Sequence, residues 1–402
     1  MKKNNSILVL IMFIFFVISF VTNILGPILP MISDDFHLTL GMAGFLPFSF
    51  FVAYFVMSIP AGVINERFGE KKSLLAAFAL TFAGALLFVI FPTYGIVLSS
   101  LFIIGLGMAM LQVVILPLMR EVGGDNNYAF NSVLSQVVFG LASFISPYIL
   151  VGAMHHFSFK WSSFYFVFMI VFAFMLAIIS LIKFPKVELK EEEKAGTVQN
   201  YMELIKNKYV ILFFLGIFSY VGTEQGISVW ISKFLNTYYN VNPDGLGATT
   251  TAWFWGLMTI GCLLGLVIVR LIDSKIMLRI FAVLAIINLV VALFAPVTIA
   301  IISFSLCGFF ISIMFSVVFS LALNSVDKHH GAFAGILCTG IVGGAVVPYI
   351  IGWIGDFVGL RASMCILFLT ISYILSISFW AKPLVNNKTV RLKELFKTNL
   401  FS

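Results

Sequence analysis

The sequence predicts an all-α integral membrane protein with twelve transmembrane helices in two pseudo-symmetric six-helix bundles. Of its 402 residues, 61% are hydrophobic and 10% are charged, a composition that water-soluble domains do not have. Apolar runs of about 20 residues, the length that crosses a bilayer core, recur along the whole chain. One long polar segment near the middle separates these runs into two sets of six.

The first apolar run, 7–30, follows a short basic N-terminus in the manner of a signal peptide. It is too long for a signal peptide and lacks a small-residue cleavage site, so we interpret it as a retained first span. The later apolar runs each have the length of one membrane crossing. We expect eleven further spans, at 40–65, 71–92, 95–119, 129–152, 162–184, 209–236, 247–271, 276–296, 298–323, 331–354 and 361–382.

Charge predicts the orientation of these spans. If both termini are cytoplasmic, all but three of the 24 Lys and Arg residues lie on the cytoplasmic side, the exceptions being Lys160, Lys233 and Arg361. Cytoplasmic loops of membrane proteins carry this excess of positive charge. The loops then account for the net charge of +7, and nucleic acid is not an expected partner. We expect a monomer in the lipid bilayer of the cell inner membrane.

A polar segment divides the chain. It runs from 185 to 208 and contains the acidic run Glu191 to Glu193 among lysines, so we interpret it as a solvated linker. A repeat supports the division, because Pro147-Tyr148-Ile149 in span 5 recurs as Pro348-Tyr349-Ile350 in span 11. The predicted organisation is an N-terminal bundle at 1–184, a cytoplasmic linker at 185–208, a C-terminal bundle at 209–384 and a cytoplasmic tail at 385–402.

Neither a cofactor nor an enzymatic centre is expected. The four cysteines lie inside apolar runs without a CxxC pair, which argues against disulfides and metal sites. The histidine pairs beginning at His155 and His329 lie in polar connections, and neighbouring helical residues do not share a face. The chain also lacks a Gly-x-x-x-x-Gly-Lys phosphate loop and a His-Glu-x-x-His motif. We therefore expect neither an enzyme nor an ATP-driven pump.

Span 7 carries a carboxylate, Glu224, halfway along its length. A charge at the bilayer centre costs about 2.5–3.5 kcal/mol on insertion scales, so such a residue normally faces a cavity, a partner or a substrate path. Tyr220 and Ser228 lie one turn before and after it on the same helical face, and Gly222 and Gly226 leave room for a neighbouring helix. Glu224 is therefore the first candidate for a functional residue, and the alternative is a structural acid.

The connection between spans 2 and 3 resembles the loop motif Gly-x-x-x-Asp-Arg-x-Gly-x-Arg/Lys-Arg/Lys of major facilitator transporters, with Glu66 in place of the aspartate. The resemblance implies the major facilitator fold. The glycines of the motif, Gly62 and Gly69, permit a tight turn and close helix approach. Glu66, Arg67 and Lys71 are expected to belong to a cytoplasmic gate that joins the two halves in one state. The alternative is a basic loop that only sets topology.

Blocks in both halves resemble the fucose and glucose/galactose:proton symporter family. Tyr220 to Glu224 is similar to that family's Tyr-Val-Gly-Ala-Glu, and Ser312 to Leu323 is similar to its segment Asn-Ser-Ile-Met-Phe-Pro in span 10. The other blocks lie in spans 4, 5 and 11, at 102–117, 136–147 and 341–348. Together they extend over nearly the whole chain, and they imply a sugar transporter coupled to protons.

The chain departs from this family at positions that bear on coupling. Where fucose symporters carry an aspartate in span 1 and a glutamate in span 4, this chain has Gly26 and Gln112. An arginine of span 8 is replaced by Cys262, and asparagines of spans 4 and 10 are replaced by Leu116 and Ile311. Both proton carriers that the resemblance implies are missing. The carboxylate of span 7 is therefore the expected proton-coupling residue.

Other side chains within the spans complete a predicted substrate site. Amides donate and accept hydrogen bonds, which suits the hydroxyls of a sugar, and tryptophans pack on the apolar face of a pyranose ring. The alternative for each amide is an interhelical contact worth about 0.6 kcal/mol, and for each tryptophan an interfacial anchor. The predicted substrate-binding residues are Asn23, Gln112, Gln136, Glu224, Gln225 and Trp230, with Trp253 and Trp255 as further aromatic candidates.

The function that these inferences predict is import of a hexose or deoxyhexose, such as fucose, glucose or galactose, by alternating access. In such secondary transporters two six-helix halves rock around a site at the membrane midplane. Glu224 is expected to bind a sugar hydroxyl and to take up the coupling proton. One alternative is an exporter of drugs or metabolites on the same scaffold, which requires a roomier and more apolar cavity. Another is a receptor or structural protein that binds without flux.

Overall fold

The computed structural model describes residues 5–123, 128–157, 160–184, 198–326 and 330–382. These residues form α-helices joined by short turns, with no strand among them. The helices are α1 (Asn5–Asn23), α2 (Leu25–Asp35), α3 (Leu40–Phe68), α4 (Glu70–Ile90), α5 (Tyr94–Gly123), α6 (Tyr128–Phe157), α7 (Ser163–Leu181), α8 (Val198–Lys206), α9 (Lys208–Ser228), α10 (Ile231–Tyr239), α11 (Ala248–Leu271), α12 (Ser274–Phe294), α13 (Val297–Ile311), α14 (Met314–Leu323), α15 (His330–Thr339), α16 (Gly343–Val358), α17 (Leu360–Ser363) and α18 (Ile366–Trp380).

Twelve membrane spans are built from these helices, which confirms the predicted fold class. Within the described residues, 11 segments have the length and hydropathy of a membrane crossing. The twelfth span is α11, whose 24 residues extend about 36 Å at 1.5 Å per residue, more than the bilayer core of about 30 Å. Five spans consist of two consecutive helices each: span 1 (α1 and α2), span 7 (α9 and α10), span 10 (α13 and α14), span 11 (α15 and α16) and span 12 (α17 and α18).

Two of these breaks have clear local causes. In span 1 the helix is interrupted at Ile24, because Pro27 lacks the N–H that would bond to the carbonyl of Asn23. In span 10 the Ser312 hydroxyl donates to the carbonyl of Phe309 (2.7 Å) where α13 ends. Such side-chain bonds compete with the helical ladder. Breaks inside the membrane leave backbone carbonyls available to other partners.

The spans form two halves that pack against each other. In the N-terminal half α3 and α4 pack on α5, and α1 packs on α6; in the C-terminal half α11 and α12 pack on α13, and α9 packs on α16. The halves are joined by α3 with α15 and α16, by α6 with α11, and by α2 with α10 and α11. The interface is therefore made by spans 1, 2 and 5 on one side and spans 7, 8 and 11 on the other.

The predicted boundaries between these parts are only partly described. The first part of the predicted linker, 185–197, and the predicted tail, 385–402, lie outside the described residues. The described end of the linker is helical, because it contains α8, and α9 begins directly after it at Lys208. A helix of nine residues therefore leads into span 7.

The two ends of the bundle differ in how the halves meet. We call the end that holds the turn between α3 and α4 the Gly69 face, and the other end the Asp356 face. Gly69 has a φ of +80° and ends α3, and its N–H donates to the carbonyl of Asn65 (2.8 Å). Residues other than glycine rarely adopt this left-handed backbone. The turn predicted between spans 2 and 3 is therefore present.

Polar contacts between the halves close the Asp356 face. The Asp356 carboxylate at the end of α16 accepts hydrogen bonds from the backbone N–H groups of Leu40 (2.7 Å) and Gly41 (2.8 Å), which begin α3. Lys233 of α10 lies 3.7 Å from Asp34 of α2. A third pair joins span 5 to the turn before span 8, because Nε2 of His155 lies 3.9 Å from Oδ2 of Asp244.

Gly26 brings spans 1 and 7 into backbone contact. A Cβ atom at this position would lie 2.8 Å from the carbonyl oxygen of Ser228 and 3.3 Å from the Cα atom of Val229. Any side chain there would separate the two helices. The position where the resemblance implies an aspartate is therefore occupied by a residue that lets the halves close.

One face of α6 packs on helices of both halves. Gly140 of α6 packs directly on Thr259 of α11, and Ser143 of α6 lies 2.6 Å from Ser19 of α1, oxygen to oxygen. Gln136 lies on the same face of α6, one turn nearer the Gly69 face, and it is exposed. This face of α6 is therefore packed at Gly140 and Ser143 and exposed at Gln136.

Candidate functional site

The carboxylate of Glu224 is half-buried inside the membrane, one turn before α9 ends at Ser228. The Tyr220 hydroxyl donates a hydrogen bond to its Oε1 atom at 3.0 Å. The two residues are four positions apart on one helix, so they share a face. The side chain of Gln225 also lies within hydrogen-bonding reach of the carboxylate. The acid predicted to be functional is therefore held by its own helix and remains reachable.

Side chains of spans 8 and 10 surround this pair. The Cys262 thiol of α11 is close enough to interact electrostatically with both Glu224 and Tyr220. It donates to the carbonyl of Ser312 at 3.2 Å, where span 10 is broken. The Phe315 ring lies 5.5 Å from the Tyr220 ring, centroid to centroid. We call Tyr220, Glu224, Cys262 and Phe315 the Glu224 cluster.

The Glu224 cluster combines three kinds of chemistry. The carboxylate and the phenol offer hydrogen bonds, and two aromatic rings offer a flat apolar surface. An acid in a membrane span normally faces a cavity or a partner, because an isolated charge in that environment is costly. Within the described residues, no group of three His, Cys, Asp or Glu side chains is arranged to hold a metal ion. The cluster is therefore suited to a polar organic ligand.

Gln225 is buried at the junction of the halves. A Cβ atom on Gly344 of α16 would lie 3.1 Å from its Cγ atom and 3.2 Å from the Phe51 ring of α3. Gln225 therefore packs where spans 2, 7 and 11 meet. Glu224, its neighbour in sequence, projects from α9 toward α11 instead. These two neighbours in sequence therefore have different surroundings.

Asn23 belongs to a polar network in the N-terminal half. Its Nδ2 atom donates to the Ser143 hydroxyl of α6 at 2.8 Å and lies 3.3 Å from the Ser19 hydroxyl. Ser19 donates in turn to the carbonyl of Phe139 at 2.5 Å. The network ties α1 to α6. The Oδ1 atom of Asn23 is buried and has no hydrogen-bond partner among the described residues.

The two predicted glutamines lie on neighbouring helices of the same half. Gln136 is exposed on α6, two turns from Ser143, the partner of Asn23. Gln112 is half-buried in α5, a helix that packs on α1 and α3. Asn23 and Gln136 thus lie along one face of α6, and Glu224 lies in the other half.

The predicted tryptophans have three different environments. Trp230 is buried at the break between α9 and α10, and its Nε1 atom donates to the carbonyl of Pro348 at 3.1 Å. Trp253 is 44% exposed and packs edge to face on Phe144 of α6, with 5.4 Å between the ring centroids. Trp255 is 2% exposed, and its Nε1 atom has no partner among the described residues. Trp230 is therefore part of the wall between spans 7 and 11.

The predicted gate residues lie around the turn at Gly69. Lys71 donates to the carbonyls of Ser180 (2.7 Å) and Ile182 (2.8 Å) at the end of α7, a contact within the N-terminal half. The Arg67 guanidinium lies 5.4 Å from the Phe68 ring centroid. Gly62 lies inside α3, one turn before Glu66.

Glu66 connects this turn to the helix that precedes span 7. Burial raises the pKa of the Tyr201 phenol in α8, and the nearby Glu66 carboxylate raises it further. A Cβ atom on Gly335 of α15 would lie 3.1 Å from the Tyr201 hydroxyl oxygen. Tyr201 therefore lies between the Glu66 side of the N-terminal half and the start of span 11.

Asp356 was not among the predicted site residues. The acid lies in the last turn of α16, where the helix macrodipole disfavours negative charge. An acid in that position indicates a partner outside its own helix, and this is the signal that the sequence offers. The partner, the first turn of α3, is 315 to 316 residues away along the chain and is found only in the folded structure.

Known proteins share this architecture. The family model described as Major Facilitator Superfamily matches residues 11–340. A glucose/galactose transporter of Brucella abortus biovar 1 (strain 9-941) is 29% identical over 385 residues, 90% of this chain and 90% of the relative. An L-fucose-proton symporter of Escherichia coli (strain K12) is 22% identical over 378 residues, 86% of each chain. The crystal structure of an E. coli fucose:proton symporter variant has a TM-score of 0.69 at 20% identity, covering 95% of this chain and 100% of that chain.

Proposed function

Because this chain belongs to the Major Facilitator Superfamily, whose model matches residues 11–340, we propose that it imports a monosaccharide together with a proton by alternating access. The substrate is a hexose or deoxyhexose. The relatives support this class, since one is named a glucose/galactose transporter and another an L-fucose-proton symporter. Both names describe transporters, so the proposed activity is transport and not catalysis.

One observation carries the proposal. Glu224 is a half-buried carboxylate in a membrane span, bonded to the Tyr220 hydroxyl at 3.0 Å. A carboxylate beside a phenol and an aromatic ring binds a polyol through hydrogen bonds and ring packing. The same carboxylate takes up a proton. Sugar binding and protonation then meet at a single residue, which is the requirement for coupling them.

The proposed site spans both halves of the protein. Asn23, Gln112 and Gln136 contribute from the N-terminal half, and Glu224 and Gln225 from the C-terminal half. Amides at these positions match hydroxyl groups, which donate and accept. Trp230 shapes the wall of the site, because its indole N–H is bonded to the carbonyl of Pro348. Gly26 and Gln112 stand where the resembling family carries acids, so coupling rests on Glu224.

The transport cycle follows from the two faces. The Gly69 face is cytoplasmic, with both termini, because Lys and Arg concentrate on that side. Contacts of Asp356, Asp34 and Lys233 then close the external side, and the exposed Gln136 lies toward the cytoplasmic side. This arrangement suits release of sugar into the cell. Each entering proton gains about 2.3 kcal/mol per 100 mV of membrane potential. The protein acts as a monomer in the cell inner membrane.

Uptake into proteoliposomes tests the proposal. Purified protein is supplied with a panel of labelled hexoses, deoxyhexoses and pentoses, with and without an imposed pH gradient. We expect one or a few hexoses to accumulate above equilibrium, and only with the gradient. Equal uptake with and without the gradient contradicts proton coupling. Binding without flux, or flux of apolar drugs in preference to sugars, contradicts the proposed function itself.

A further inference from the structure

Six buried polar side-chain atoms have no hydrogen-bond partner among the described residues, and two of them belong to residues near the contact of α6 with α1 and α11. These two are Nε1 of Trp255, a donor, and Oδ1 of Asn23, an acceptor. The two side chains are 2% and 3% exposed. Buried polar groups in folded proteins are nearly always paired, because an unpaired group loses its bonds to water and gains nothing. Each of these atoms is therefore available to a partner other than the described residues.

The position of Trp255 on α11 turns its side chain toward the centre of the molecule. One flank of the helix packs on α6, where a Cβ atom on Gly256 would lie 2.6 Å from the Phe144 ring. The other flank packs on α13, where a Cβ atom on Gly261 would lie 3.0 Å from the carbonyl of Phe309. Trp255 lies between these flanks, two turns from Cys262 on one face, and Cys262 is in the Glu224 cluster.

Asn23 lies at a similar level on the other side of the centre. It lies beside the break in span 1, and its amide is bonded to Ser143 of α6. One turn away on α6, Gly140 packs on Thr259, which is one turn from Trp255 on α11. Both residues therefore lie beside α6. Asn23 is on the side where α6 packs on α1, and Trp255 is on the side where α6 packs on α11.

The chemistry of the two atoms is complementary to that of a sugar. A sugar hydroxyl donates and accepts, so one hydroxyl satisfies the indole N–H and another satisfies the amide oxygen. An apolar molecule forms neither bond, and a metal cation or a halide forms at most one of them. A ligand that bonds to both halves also stabilises the state in which the halves approach each other, because it binds that state more tightly.

Resting on the proposed function, we propose that Trp255 and Asn23 bind the transported sugar between the halves, at the end of the site nearer the Asp356 face. The indole N–H of Trp255 donates to one hydroxyl, and Oδ1 of Asn23 accepts from a different hydroxyl of the same molecule. Trp255 thereby contributes to specificity, because a hexose that lacks the first hydroxyl leaves a buried donor unpaired.

Monodeoxy analogues of the transported hexose test this pairing. Trp255→Phe keeps an aromatic ring and removes the N–H, and half-saturating concentrations are measured in counterflow for each analogue. We expect Trp255→Phe to raise the value for the parent sugar about 5- to 20-fold, the effect of one hydrogen bond in a buried site. One analogue should bind wild type more weakly than the parent sugar does, by a similar factor. Its half-saturating concentration should not rise further in Trp255→Phe. The matched control is Trp353→Phe, which alters an indole that is 53% exposed.

A second variant tests Asn23 independently. Asn23→Ala also removes the bond to Ser143, so the informative quantity is its discrimination between the parent sugar and each analogue, and not its affinity alone. We expect Asn23→Ala to lose discrimination between the parent sugar and one analogue. That analogue should lack a different hydroxyl from the one that identifies Trp255. If Asn23→Ala does not fold, Trp255→Phe alone decides the proposal.

The outcomes separate this inference from the proposed function. If wild type transports a hexose but Trp255→Phe discriminates all analogues as wild type does, the inference is wrong and the function stands. If Trp255→Phe weakens every analogue equally, the indole only packs, and the inference is again wrong. If wild type transports no sugar of the panel, the proposed function fails and this inference fails with it.

Discussion

Replacing Asp356 should open the face that this residue closes. In Asp356→Ala the backbone N–H groups of Leu40 and Gly41 lose their bonds to the carboxylate, which are 2.7 and 2.8 Å long. Those two bonds connect the end of α16 to the start of α3, across the two halves. Their loss therefore acts on the contact between halves more than on either bundle.

The size of the effect follows from burial. Hydrogen bonds to a charged group contribute about 1.5–3 kcal/mol when buried. Asp356 is exposed, and water competes with its partners, so about 0.5–1 kcal/mol per bond is the appropriate range. The pair then contributes about 1–2 kcal/mol, which corresponds to about a 5- to 30-fold shift from the closed toward the open state.

Hydrogen exchange measured by mass spectrometry detects this shift. The informative amides are those of α10 (Ile231–Tyr239), because α10 packs on α2 across the halves and has no bond to Asp356. We expect their exchange to accelerate by the same factor. The matched control is Asp35→Ala, since Asp35 bonds to the indole of Trp161 (2.6 Å) within one half. Faster exchange confined to Leu40 and Gly41 would refute the reasoning, because it would show that the Asp356 bonds stabilise only the start of α3 and do not hold the halves together.

Other substitutions test the site and the proposed cycle. Glu224→Gln resembles the protonated acid, so counterflow exchange of sugar should persist while accumulation driven by a pH gradient disappears. Gln136→Leu removes an exposed amide from α6 and should weaken sugar binding by about 1–3 kcal/mol, which is measured as a higher half-saturating concentration in counterflow. Arg67→Ala should slow net transport and leave sugar affinity unchanged, because the residue lies at the Gly69 face. Gly26→Ala places a Cβ atom 2.8 Å from a backbone oxygen of α9, so it should accelerate exchange in α10, as Asp356→Ala does.

Each of these expectations has a contrary result. Gradient-driven accumulation in Glu224→Gln excludes this residue as the proton carrier, and a parallel loss of counterflow assigns it to sugar binding alone. Wild-type affinity in Gln136→Leu places the site elsewhere. Abolished sugar binding in folded Arg67→Ala contradicts the gate assignment. Unchanged exchange in Gly26→Ala means that spans 1 and 7 adjust to a side chain. Thermal unfolding of every variant is the common control.

The spans of this protein were predictable because the bilayer acts locally. Every crossing needs about 20 apolar residues, and its backbone must satisfy its own hydrogen bonds, so each span is visible in its own stretch of sequence. The turn at Gly69 is local as well, since its left-handed backbone favours glycine. Glu224 was identifiable for the same reason, as an acid within an apolar run.

Contacts between distant spans were decided by packing alone. Trp230, a predicted sugar contact, has its indole N–H bonded to Pro348, and nothing near Trp230 in sequence indicates that carbonyl. Whether Asn23 faces a neighbouring helix or a ligand depends on the rotation of α1 against α6, and the structure shows one amide atom bonded and the other free.

The sequence by itself therefore determined the twelve spans, their division into two sets and the one acid in their midst. Tertiary structure alone decided that Asp356 closes one face and that Gly26 lets spans 1 and 7 touch. The physical reason is that hydropathy constrains each helix separately, whereas the faces that meet are selected by small residues and polar partners far apart in the chain.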